Sequence, residues 1–209
     1  MFKKTLSAAL IFSLLVLPVS SVTPAGAPEA SAMAQSYLPG DVPAETDAAE
    51  SMSPALHALV LAMLNHDVGR FDSADASLTW EGLYNMLSLY GQMDSRSVSE
   101  DGELLLPEET VRDYAAALDL DLDGLGSPPA AIRDRLNYDN VSHSYVVVCG
   151  EDGLAQVRVE SFKPSAGGYT LTGSLVYQVD GRILAGFRAE LRPQDNLFGY
   201  AVTAGSIAG

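Results

Sequence analysis

Three stretches of the chain repeat apolar residues at helical spacing. Leu56, Leu59, Val60, Met63 and Leu64 follow Ser53-Pro54, with Leu61 widening the stripe. That pattern predicts a helix over 54–65, capped by Ser53 and carrying Pro54 in its first turn. Trp80, Leu83, Tyr84 and Leu87 share one face of a second helix over 78–90, with Gly91 as its stop. Pro107-Glu108-Glu109 opens a third over 107–118, whose stripe is Val111, Tyr114, Ala115 and Leu118; two acids there suit the positive end of the helix dipole. Leu104, Leu105 and Leu106 fit a short strand or the run-in to that helix, and Ala130 to Leu136 fit one further turn.

Beyond residue 140 the period falls from 3.6 to 2. Extended runs are expected at about 143–149, 154–163, 169–179, 182–192 and 197–207. In the third run Tyr169, Leu171, Gly173, Leu175, Tyr177 and Val179 alternate with Thr170, Thr172, Ser174 and Gln178. In the fourth, Ile183, Ala185, Phe187, Ala189 and Leu191 alternate with Arg182, Arg188, Glu190 and Arg192. Asp180-Gly181 between them is a two-residue hairpin signal. Helices with apolar stripes and a sheet with one apolar face bury each other most economically in an α+β fold. The expectation is N-terminal helices (53–140) packed on a curved antiparallel β-meander of four to five strands (141–209), together a single domain over 53–209.

The N-terminus reads differently. Lys3 and Lys4 precede an apolar run from Ala8 to Leu17 and then small residues, the form of a secretory signal over 1–27. The run is far short of the ~20 residues that span a bilayer as a helix. Cleavage after Ala25, Ala27 or Ala34 fits the small-residue pattern, although Pro28 disfavours the second. Residues 28–52 are rich in Ala, Pro, Ser and acids and read as a flexible acidic tether. The protein is thus expected to be bacterial, secreted or extracytoplasmic, with no membrane span after signal cleavage. Asn140-Val141-Ser142 matches a glycosylation acceptor only by accident in that setting.

Composition narrows the chemistry. The chain has 209 residues with 12 basic and 27 acidic side chains. Residues 28–139 hold 21 acids and 5 bases, whereas 140–209 hold 6 and 5. This acidity argues against nucleic acid or an anionic membrane as partner, since both are polyanions. The single cysteine rules out a disulfide framework and any multi-cysteine metal site. It lies in the apolar run Tyr145 to Cys149 and reads as a buried, inert thiol.

Candidate chemistry is sparse. Asp119, Asp121 and Asp123 before Gly124 match the opening of a calcium loop, but the position for a bidentate carboxylate is Ala130 and Pro128-Pro129 replaces the helix that should follow. Calcium is the one cofactor the pattern suggests, as a stabiliser of an extracytoplasmic domain. His66-Asp67 with Asp72 and Asp75 lacks the spacing of a zinc site and reads as a helix end followed by an acidic turn. His57 reads as structural. His143 lies near Asp139 and Tyr138, and strand alternation would place it with Tyr145, Val147 and Cys149; a proton-transfer or hydrolytic pocket using His143, Asp139 and Tyr145 is the enzyme alternative. Arg158, Arg182, Arg188 and Arg192 on the polar sheet side would hold an anionic ligand if that side were concave. There is no G-x-S-x-G, no P-loop and no G-x-G-x-x-G, and the polar stretch Asp94 to Ser99 has no histidine beside it. Trp80, Tyr84, Tyr90 and Tyr114 read as core.

The helices at 54–65, 78–90 and 107–118 followed by the meander from Tyr145 to Ile207 resemble the cystatin-like and nuclear-transport-factor-like group of α+β folds. That group includes a ketosteroid isomerase with an acidic base and a Tyr/Asp oxyanion pair, roles that match no position here. The ending Leu191-Arg192-Pro193 through Phe198-Gly199-Tyr200 also resembles that of exported proteins of Gram-positive bacteria, which implies no activity. The leading expectation is an exported, non-enzymatic binding or interaction module for a protein or small molecule outside the cytoplasm.

Overall fold

The computed structural model describes residues 45–208, apart from 73, 101, 124–126 and 151–153. The expected signal at 1–27, its cleavage positions and most of the tether lie outside the described residues.

The domain starts earlier than the hydrophobic pattern implies. Helix α1 occupies Glu45–Ser51 and leads into α2, Ser53–Asn65, through Met52, which keeps helical backbone angles. The tether reading of 45–52 is therefore corrected. Ala48 and Ala49 are buried and Met52 is fully buried, so alanines that look like linker filler form a packing face. Nor does Ser53 cap α2: its hydroxyl donates to the Ala49 carbonyl at 3.3 Å, because a helix already precedes it. Met52→Ala is expected to cost about 2 kcal/mol, as for a buried methionine, measured by urea unfolding; a linker position would show no loss.

Helix α3 spans Ala76–Tyr90, and the Asp75 carboxylate accepts from the Ser77 and Leu78 amides at 2.9 and 3.1 Å. These bonds satisfy two amides of the first turn and set the start of the helix. Strands β1 (Val98–Glu100) and β2 (Glu103–Pro107) come next, then α4 (Glu108–Ala117), the single turn α5 (Ala130–Arg133), β3 (Leu136–Asp139) and β4 (Ser144–Val148). The chain ends in β5 (Ala155–Ser165), β6 (Gly168–Tyr177), β7 (Ile183–Pro193) and β8 (Tyr200–Ala208).

The strands form two antiparallel four-stranded sheets, ordered β1-β2-β4-β3 and β5-β6-β7-β8. The second is the expected meander. The run expected at 143–149 is not its first strand: β4 pairs with β2 and β3 in the other sheet. Leu104 to Leu106 thus form a strand, and its alternation buries Leu104 and Leu106. Gly181 (φ 73°) closes the β6–β7 hairpin, with its amide on the Tyr177 carbonyl at 2.9 Å. The apolar alternation ends inside that hairpin, leaving Val179 and Ile183 exposed.

Helix α2 packs on β5, β7 and β8, while α3 and α4 pack on β4. One continuous core joins Leu56, Leu59, Trp80, Leu83, Leu106, Val147, Leu171, Leu175 and Leu191. At the outer side of β8, the Phe71 amide bonds to Gly205 and the Gly69 carbonyl accepts from Ile207, at 2.9 and 3.0 Å. That short ribbon covers an edge otherwise open to pairing. Among the described residues no helix is long and apolar enough to cross a membrane.

Candidate functional site

Helix α3 ends at Tyr90 in a tight 3-10 turn, Gly91–Met93, and the chain then reverses at Asp94. A Cβ at position 91 would lie 2.8 Å from a Leu104 side-chain carbon, so the turn relies on glycine to lie against β2. Asp94 organises the loop beyond the turn. Its carboxylate accepts from the Arg96 amide at 2.9 Å and from the Arg96 guanidinium at 2.9 and 2.6 Å. The same guanidinium reaches Asp113 of α4 at 2.8 Å, with Glu109 further off at 3.9 Å. Arg96 holds the Asp94 carboxyl below its ordinary range, through hydrogen bonding above all.

Opposite this bridge stands the loop between β7 and β8. The Asn196 side chain accepts from the Phe198 amide at 2.9 Å and donates to the Tyr200 carbonyl at 3.0 Å, and Gly199 takes a left-handed backbone (φ 76°). The Phe198 carbonyl is held by the Ser51 hydroxyl at 2.9 Å. Phe198 meets Tyr114 edge to face at 5.1 Å, and the Tyr114 hydroxyl donates to the Tyr90 carbonyl at 3.0 Å. Burial first, and Asp94 second, push the Tyr114 phenol up to about 12, so it stays protonated as a donor.

Between bridge and loop lies a cleft of about 500 Å³, lined by Pro54, Tyr90, Met93, Asp94 to Arg96, Asp113, Tyr114, Leu197 and Phe198. Met93 and Leu197 stand at its mouth, 77% and 59% exposed. Two large apolar side chains left in water beside aromatic walls form a ready contact surface for an apolar ligand. Behind the cleft, the Tyr90 hydroxyl shares a 2.5 Å hydrogen bond with Nδ1 of His57. His57 is buried, and its Nε2 has no partner among the described residues. Burial therefore lowers its pKa to about 4. The histidine thus positions a cleft tyrosine.

The residues singled out from sequence lie elsewhere. His143 has a left-handed backbone (φ 50°) and sits in the turn before β4, so strand alternation does not extend to it. Its Nδ1 is 3.3 Å from the Tyr138 hydroxyl, which donates to Glu108 at 2.8 Å; Glu108 also pairs with Arg112 at 2.6 Å. Asp139 makes no hydrogen bond to His143 among the described residues, and turn hydrogen bonds above all, with a small electrostatic contribution from the imidazole, hold its carboxyl low. It caps the turn, accepting from the Val141 amide and the Ser142 hydroxyl at 2.9 and 2.7 Å. Tyr145 packs its ring on Tyr138 at 4.9 Å. Cys149 is exposed just past the end of β4, which corrects the buried-thiol reading.

The three calcium candidates are drawn apart. Asp119 pairs with Arg192 at 2.6 Å, Asp123 pairs with Arg112 at 2.9 Å, and Asp121 accepts from the Asp123 amide at 3.2 Å. No group of three or more metal-ligating side chains occurs among the described residues. The arginines do not converge either. Arg188 is tied to Glu190 at 2.7 Å, Arg192 to Asp119, and Arg182 sits in the hairpin turn with its guanidinium 6.0 Å from the Tyr177 ring. Arg158 is exposed on β5 and forms no ion pair among the described residues.

Sequence reasoning passed over the cleft because its parts look ordinary separately. Asp94 to Ser99 reads as a polar loop, and Tyr90 and Tyr114 as core. One local signal was present: Asp94 and Arg96 two residues apart, directly after an aromatic helix end. Comparison of the chain with protein-family models, curated proteins and solved structures finds no match.

Proposed function

We propose that this chain is an exported, non-catalytic binding module whose cleft between α3, α4 and the β7–β8 loop receives the apolar part of a small ligand. The observation that carries the reading is the cleft itself: about 500 Å³, aromatic on two sides, with Met93 and Leu197 exposed at its mouth. That volume suits a single small molecule. Its walls are held by hydrogen bonds on both sides, so little ordering cost accompanies binding. Export rests on the Lys3-Lys4 start and the Ala8 to Leu17 run.

The cleft is tested with the neutral dye Nile red. Wild-type protein is expected to raise its emission, and the double variant Met93→Asp/Leu197→Asp to lower the gain several-fold with an unchanged Tm, since both side chains face water. A double variant that binds the dye like wild type sinks the reading. Export is tested by fusing residues 1–40 to a reporter that works only outside the cytoplasm.

A second reading draws on the Glu108–Tyr138–His143 relay, where a phenol bridges a carboxylate and an imidazole. Such a chain supports proton transfer. None of its members lines the cleft. An ester-hydrolysis rate that falls at least tenfold in His143→Ala, with fold retained, would favour this enzyme reading over the binding module.

A further inference from the structure

We infer that the ligand of this cleft is a small organic cation, an ammonium or guanidinium group on an alkyl or aromatic body. The inference rests on the cleft reading above and adds the ligand's charge. The cleft and its rim carry three carboxylates, Asp94, Glu109 and Asp113, against the single guanidinium of Arg96. The guanidinium is largely committed to carboxylates: Nε and Nη2 donate twice to Asp94 and once to Asp113 within 3 Å. An anionic ligand approaching the remaining Nη1 donors would meet Glu109 at 3.9 Å from that nitrogen and the local excess of negative charge, which repels it. A cation meets the reverse situation. Arg96 engages Asp113 through Oδ2, and the Asp113 side chain lines the cleft while 36% exposed, so its carboxylate has acceptor capacity to spare. Glu109, 73% exposed, adds a second carboxylate on the same helix.

The walls favour the same ligand class. Tyr90 and Phe198 line the cleft as half-buried rings, with the buried Tyr114 packed behind Phe198; aromatic rings attract positive charge and offer area to an apolar body. The acidic cluster alone would describe any solvated surface. Here it borders a preformed apolar cavity with two large side chains exposed at the mouth. Charge and shape together select a molecule that is cationic at one end and apolar at the other. The volume of about 500 Å³ limits the occupant to one small molecule.

Three probes of equal chain length separate charge from apolar fit: octylammonium, octan-1-ol and octanoate. Each is titrated into the protein at pH 7 and low salt, following the Met93 methyl signal by NMR. Octylammonium is expected to bind roughly tenfold more tightly than the alcohol, with octanoate weakest. Asp113→Asn is expected to bring the ammonium to within about threefold of the alcohol. Because Asp113 also anchors Arg96 through a hydrogen bond, Glu109→Gln provides a variant that removes only a longer, 3.9 Å ion pair with Arg96, and it is expected to weaken only the ammonium. If the alcohol or octanoate binds as well as the ammonium, the cation inference fails while the cleft reading stands. If no probe moves the Met93 signal, both fall.

Discussion

Acidifying the protein from pH 7 to pH 4.5 is expected to remove on the order of 2 kcal/mol of folding stability through His57 alone. In the folded chain burial holds this imidazole neutral down to about pH 4. In the unfolded chain it titrates near the ordinary histidine value of 6.5. Between those two values the unfolded state binds the extra proton. Stability from the neutral, buried histidine is therefore complete above about pH 6.5 and is lost progressively as the pH falls towards 4. The structural cause is plain: Nδ1 is committed to the Tyr90 hydroxyl and Nε2 has no partner among the described residues, so a proton added there would create an unpaired buried charge.

Carboxylates held low by arginines or by turn hydrogen bonds, among them Asp94, Glu108, Asp123 and Asp139, lose their contribution at lower pH. Relief of the large negative charge acts in the opposite direction. The variant His57→Leu separates these effects. Urea unfolding of both proteins at pH 7, 6, 5 and 4.5 should give stability curves in which wild type loses stability relative to the variant as the pH falls, because only wild type carries a histidine that the unfolded chain protonates more readily. Parallel curves would mean that His57 is not held neutral. Tyr90 is expected to lose its fixed position in the variant, so Nile red binding should weaken even where the fold survives at pH 7.

The second large effect concerns two glycines in neighbouring strands. Gly173 of β6 pairs with Phe187 of β7 and with Val159 of β5. A Cβ there would stand 2.5 Å from the Arg158 carbonyl oxygen and 2.9 Å from the Phe187 ring. Neither neighbour yields cheaply, one being backbone and the other a ring packed against the core. Gly173→Ala is expected to cost about 3 kcal/mol, and Gly173→Val more. Gly186, one strand over, is the control. The nearest atom to its Cβ would be the Ala208 methyl at 4.0 Å, and its φ is not positive. Gly186→Ala should therefore be neutral or add up to about 1 kcal/mol, by restricting the unfolded chain. Equal effects at the two positions would mean that the close approach of β5 to β6 is wrong. That approach coincides with the break in register between Val159 and Ser161, where Glu160 forms a bulge.

The three main helices and the four strands of the meander were legible because their signals are local. Leu56 to Leu64 repeat within four residues, and Leu171 to Leu175 alternate within two. A short window of sequence contains the whole pattern. Helix α1 escaped notice because Ala48 and Ala49 are too small to mark an apolar stripe, although they pack as one. The first sheet escaped for another reason. β1 to β4 are three to five residues long, too short for alternation to stand out. Cys149 looked buried because it closes an apolar run, but β4 ends one residue before it.

By itself the sequence determined that the chain is acidic, that it carries the pattern of an export signal, and that helices precede a meander in an α+β arrangement. Each of these comes from composition or from a periodicity spanning a few residues. Only the tertiary structure decided that the described strands form two sheets, that Asp119 and Asp123 pair with arginines, and that the hydrogen bond of His143 goes to Tyr138. It alone brought Arg96 to Asp113, His57 to Tyr90 and Phe198 to Tyr114, which lie 17, 33 and 84 positions apart. The reason is that a cleft is a relation between elements. No local period encodes which helix end meets which loop; that choice is made when the apolar faces find their common core.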